Sequence, residues 1–166
     1  MIELRPIHRE AIPAALAKAE RYRLLNQPRQ AESICLDILQ VEPDHQEALV
    51  MLLLALTDQF GRGGYQADIR RAREVLSKLK GEYERAYYEG VVCERWGKSL
   101  VRSNAPREGV SDWLREAMRC YEKAEPLRAP GNDEAILHWN ACARLINHNE
   151  SLEPSRPESF NLVFGD

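Results

Sequence analysis

The chain has 166 residues, 44% of them hydrophobic and 30% charged, with a formal net charge of −3. That balance fits one ordered domain, excludes a disordered chain, and supplies no clustered positive field of the kind that holds nucleic acid. The start, MIELRPIHREAIPAAL, carries acids and a proline where a secretory signal needs unbroken apolar sequence, and the longest apolar run, Ala48 to Leu56, is short of the about 20 residues that cross a bilayer.

Helical periodicity dominates the chain, and no run of alternating β-branched residues is long enough for a sheet. A first helix is expected from about Ile12 to Leu25, ended by Asn26, Gln27 and Pro28. A second runs from about Arg29 to Gln40 with Ala31, Ile34, Cys35 and Ile38 on one face, and Pro43 and Asp44 make the turn out. The third starts near Gln46, holds Leu49, Leu52, Leu53 and Leu56, and stops at the glycines around Arg62. The fourth, about Ala67 to Lys80, presents Ile69, Ala72, Leu76 and Leu79. The fifth begins near Glu82 and extends to about Arg102, unless Gly97 breaks it earlier. Ser103 to Gly109 reads as a loop, with Ser111 as the N-cap of a sixth helix over Asp112 to Glu125. Pro126 and Pro130 close it, Asn132 is the next N-cap candidate, and a seventh helix covers about Asp133 to Asn147. Each of the four cysteines, Cys35, Cys93, Cys120 and Cys142, falls at an apolar position of these patterns and none forms a CxxC pair, which predicts reduced core thiols in a cytoplasmic protein.

One spacing recurs. Ala19 and Tyr22, then Ala31, Cys35 and Pro43, place small, large, small, large and proline at offsets that resemble the tetratricopeptide repeat, a two-helix unit of about 34 residues. Ala72 and Leu76, Gly90 and Cys93, Ala117, Tyr121 and Ala124, and Cys142 and Leu145 repeat parts of it. The resemblance implies an all-α fold, a right-handed superhelical stack of antiparallel hairpins over residues 1–149. Its repeats fall at about 12–45, 46–81 and 82–131, a half repeat at 132–149 and a tail at 150–166. It departs from the family in its longer loops and in replacing most of the signature tryptophan and glycine by Ala, Leu or Cys.

In that family the first helix of each repeat lines a concave face that holds a peptide or helix. Position by position, the resemblance implies a groove of Leu16, Glu20 and Arg23, then Met51, Leu54 and Asp58, then Tyr87, Tyr88, Val91 and Arg95, then Trp139, Asn140 and Ala143. Adjacent Tyr87 and Tyr88 cannot share one helix side, so Tyr88 is assigned to the groove; Tyr87 and Trp139 have interhelical core as the alternative reading, and for Trp139 the two readings are even. Some family members clamp the C-terminal carboxylate of chaperone tails with Lys, Asn and Arg. The matching positions here, Leu16, Glu20, Met51, Glu84 and Tyr88, supply no positive charge, so no clamp of that type is expected.

Signals for chemistry are weak. Gly97–Lys98–Ser99 has Val92 where a phosphate loop has its first glycine, and no strand precedes it. His138 and Cys142 are four apart but lack partners for a metal site. The expectation is therefore a non-catalytic interaction protein with no cofactor and no metal, whose partner is a protein or peptide. The alternatives are self-association into a homodimer through the open seventh helix and a regulatory domain of an enzyme complex. Phe160, Leu162, Val163 and Phe164 are too apolar for a free terminus, which suggests that the tail covers the flank of the last helix or lies in the groove.

Overall fold

The structure, a computed structural model, describes residues 2–62, 65–102 and 107–148. They form seven α-helices: α1 (Ile12–Leu24), α2 (Pro28–Val41), α3 (Gln46–Thr57), α4 (Tyr65–Leu76), α5 (Glu82–Arg102), α6 (Arg107–Ala124) and α7 (Glu134–His148). Single 3-10 turns precede α1 and follow α6. Among the described residues there is no strand, and no helix is long and apolar enough to cross a membrane. The tail expectation falls on residues 150–166, outside the described residues.

Local chemistry sets the boundaries. Pro13 sits at the start of α1 and Pro28 opens α2, where the missing amide would have had no helical acceptor. Asn26 takes the left-handed conformation, φ 56°, after α1. The Gln27 amide then donates to the Tyr22 carbonyl at 2.8 Å and the Asn26 amide to the Arg23 carbonyl at 2.9 Å, closing the helix in a Schellman motif. His45 caps α3, its Nδ1 accepting from the Ala48 amide at 3.3 Å. Before α7, Asn132 Oδ1 accepts from the Glu134 amide at 3.1 Å.

One boundary expectation fails. Ser111 does not cap α6: it is buried inside a helix that starts at Arg107, so the loop read over Ser103 to Gly109 ends earlier. The reason lies in the packing, because Val110, Leu114, Ala117, Tyr121 and Ala124 form a single buried stripe that begins before Ser111. Gly97 does not break α5, which runs through its 21 residues and is about 30 Å long.

Each helix packs on the next in the chain, and α3 also touches α1 and α5. With neighbours on several sides, α3 buries Ala48, Leu49, Leu52, Leu53, Ala55 and Leu56, which is why its sequence is apolar almost all round. One apolar core runs from Ala19 in α1 to Ile146 in α7. The four cysteines are buried free thiols, one each on α2, α5, α6 and α7, and Cys35, Cys93 and Cys142 belong to this core. The small residues Ala19, Ala31, Ala72, Gly90, Ala117 and Ala124 are all buried at helix contacts.

The α5–α6 contact is the closest. A Cβ on Gly90 would stand 2.5 Å from Tyr121 Cε1, and one on Gly97 would stand 3.0 Å from Trp113 Cβ. These two glycines lie seven apart on one side of α5 and let α6 lie directly on its backbone. Gly90→Ala should therefore overpack the Tyr121 ring and cost about 1–3 kcal/mol in urea unfolding. Gly109→Ala, on α6 with nothing within 4 Å of the added carbon, should instead stabilise by about 0.5–1 kcal/mol.

Candidate binding groove

The first helices of the three hairpins, α1, α3 and α5, meet along one face, and two cavities open there. The first holds about 570 Å³ and is lined by Leu16 and Glu20 of α1, Gln46, Glu47, Val50 and Met51 of α3, Leu79, Lys80 and Gly81 before α5, and Glu84 and Tyr88 of α5. Its floor is apolar and its rim carries Glu20, Glu47 and Glu84. The single ammonium, Lys80 Nζ, lies 3.4 Å from Asp44 Oδ2. Leu16, Glu20, Met51, Glu84 and Tyr88 all line this groove, and the charges around it are mainly negative.

The second cavity, about 330 Å³, lies further along the same helices, past Arg23, Thr57 and Arg95. Because both cavities meet α1, α3 and α5 in the same order, the three helices run in the same direction. The residues between Glu84 and Arg95 alone span about 16 Å of helix. At this end Asp58 joins all three. Its Oδ2 accepts from Arg23 Nε at 2.7 Å and its Oδ1 from Arg95 Nη1 at 2.5 Å. Arg95 Nη1 also donates to Thr57 Oγ1 at 2.7 Å and to the Leu54 carbonyl at 3.3 Å.

The residues expected to line a groove thus divide. Leu16, Glu20, Met51 and Tyr88 line the acidic cavity, while Arg23, Asp58 and Arg95 line the cationic one. Leu54 is half-buried against the core and reaches the face through its carbonyl. Tyr87 and Val91 do not line it: they are 9% and 2% exposed and belong to the core, since residues four apart on α5 share the side turned toward α6. Trp139 is half-buried and donates from Nε1 to Glu122 Oε1 of α6 at 2.9 Å, which turns it away from α1, α3 and α5. Asn140 and Ala143, half-buried on α7, line neither cavity. Repeat positions could not reveal Leu79 and Lys80, which follow α4, or Arg62 in the loop after α3. Lys98 and Arg102 escaped because they lie in the last turns of the 21-residue α5, beyond the positions that the resemblance assigned.

Behind the cationic cavity lies a buried polar node. Glu94 of α5 is 4% exposed. Its Oε2 accepts from Tyr121 OH at 2.6 Å and from His138 Nδ1 at 2.7 Å, and its Oε1 accepts from Lys98 Nζ. A carboxylate can only accept, so Nδ1 carries the His138 proton in this arrangement. Burial pushes the Glu94 carboxyl up, but the bonds from His138, Lys98 and Tyr121 and the Lys98 charge outweigh it and bring it down to about 2. Burial and then the Glu94 charge push the Tyr121 phenol up, which keeps it a proton donor. Tyr87 packs beside this node, 5.7 Å from the His138 ring and 5.9 Å from the Tyr121 ring. Glu94, Tyr121 and His138 line neither cavity. Their arrangement fixes α6 and α7 on α5.

The Glu94 pKa falls on folding, from an ordinary 4.5 to about 2. Its stabilisation is therefore present above about 4.5 and lost as pH drops toward about 2, an amount of about 3 kcal/mol. Urea unfolding across that window should show the loss, and Glu94→Gln should abolish that part of the pH slope while lowering stability at neutral pH by about 3–5 kcal/mol.

No protein-family model, curated protein or solved structure matches this chain.

Proposed function

We propose that the chain is a non-catalytic interaction module of tetratricopeptide-like design, its hairpins stacked in a right-handed superhelix. In this reading the acidic groove holds a peptide segment of a protein partner that carries apolar and basic side chains. One observation carries it. Leu16, Val50, Met51, Leu79 and Tyr88 give the groove an apolar floor, and three carboxylates on the rim face a single lysine that already has an acidic neighbour. Apolar side chains of a ligand would gain burial on that floor, and basic ones would set register against the rim. Tyr88 is the natural anchor, since it is half-buried, aromatic and loses little side-chain freedom on contact. The parallel run of α1, α3 and α5 supports the stacked arrangement, because it is what consecutive hairpins laid side by side produce.

Selection from a random peptide display library on the full chain tests this reading. Enriched peptides should combine basic and apolar residues, and Tyr88→Ala should weaken the selected binders by about tenfold or more. Reversing the rim with Glu20→Lys, Glu47→Lys and Glu84→Lys should remove the basic preference. Binders indifferent to both changes, or a library that yields none, would refute it.

A further inference from the structure

We infer that the second cavity is a binding site for a phosphate group, free or carried on a side chain. Arg23 comes from α1, Arg62 from the loop after α3, and Arg95, Lys98 and Arg102 from successive turns of α5. Among the described residues, five cations therefore surround a cavity of about 330 Å³ whose single lining carboxylate is Asp58. Glu94, reached by Lys98 from behind, is the only other acid among the described residues bonded to them. The C-terminal ends of α1, α3 and α5 add roughly half a negative charge each within their last turns. The surplus left is about one and a half positive charges. A phosphate monoester, at about −1.5 to −2 near neutral pH, matches it, whereas a carboxylate neutralises only part of it.

Donor geometry points the same way. Asp58 occupies Arg23 through Nε and Arg95 through Nη1, so the other guanidinium nitrogens of both have no protein acceptor among the described residues. Asp58 thereby acts as a frame: it fixes two guanidiniums at the cavity wall without consuming their forks. Arg62 and Arg102 are exposed at the edge, able to close over an anion. Donors that converge from three chain segments surround a tetrahedral group better than a planar one, and arginine forks bind phosphate oxygens in pairs. The site stands apart from the peptide reading, because its probe is an anion alone.

The test titrates the full chain with inorganic phosphate, a short phosphoserine peptide, the same peptide unphosphorylated, and acetate, all at matched ionic strength. Binding is followed by amide chemical shifts and calorimetry. Inorganic phosphate should shift the amides from Arg95 to Arg102 with a dissociation constant of about 1 mM or below, and acetate should not. The exposed pair change Arg62→Ala with Arg102→Ala touches no core residue, and it should leave the melting temperature in place while weakening phosphate by about tenfold. The phosphoserine peptide binding tenfold more tightly than inorganic phosphate identifies a phosphorylated side chain as the source, and equal affinity identifies the free anion. Acetate binding as tightly as phosphate, or the double variant retaining full phosphate affinity, overturns the site.

Discussion

Glu94 decides how the last part of the chain assembles. A carboxylate in an apolar core is tolerated only where donors fully surround it, and here those donors come from three helices. Lys98 is one turn away on α5, Tyr121 reaches in from α6 and His138 from α7. The Tyr121 hydroxyl can reach the carboxylate only because its ring lies against Gly90, where a side chain would displace it. A backbone contact, an aromatic ring and a buried charge thus depend on one another, and α7 is held in place by the result.

Asp58 plays the corresponding part among the first three odd-numbered helices. It draws Arg23 and Arg95 to the end of α3 and thereby sets α1 and α5 beside it. Both ion pairs are partly shielded from solvent, so geometry rather than long-range charge gives them their value. Because the three helices run in the same direction, Glu20, Glu47 and Glu84 collect at one end of the shared face and Arg23, Arg95, Lys98 and Arg102 toward the other. Glu47 and Glu84, in the first turns of α3 and α5, and Arg23 and Arg102, in the last turns of α1 and α5, also suit the helix dipoles, which favour acids near N-termini and cations near C-termini.

Much of this fold could be read from residue spacing. Apolar periodicity located all seven helices, with most ends within a few residues, because each helix buries a stripe that recurs in sequence. The start of α6 was misplaced because Ser111 has the chemistry of a cap while Val110, just before it, already belongs to the buried stripe. The polar nodes were harder. Glu94 and Lys98, four apart, look like an ordinary surface pair, and only the stripe Gly90, Glu94, Gly97 hints that this side of α5 faces another helix. His138 drew notice as a metal ligand beside Cys142, whereas its ring nitrogen serves Glu94, a partner 44 residues away that no local spacing could identify. At the groove, transferred repeat positions located Leu16, Met51 and Tyr88, but they could not separate Tyr88 from the buried Val91 or find side chains contributed by loops.

The cysteines lend the molecule built-in reporters. Cys35, Cys93, Cys120 and Cys142 sit on α2, α5, α6 and α7, and all are buried. An alkylating reagent can reach a sulfur only when the helix carrying it detaches. The order in which the four become labelled then records which hairpin loosens first, giving a native-state clock of segmental opening without any introduced probe.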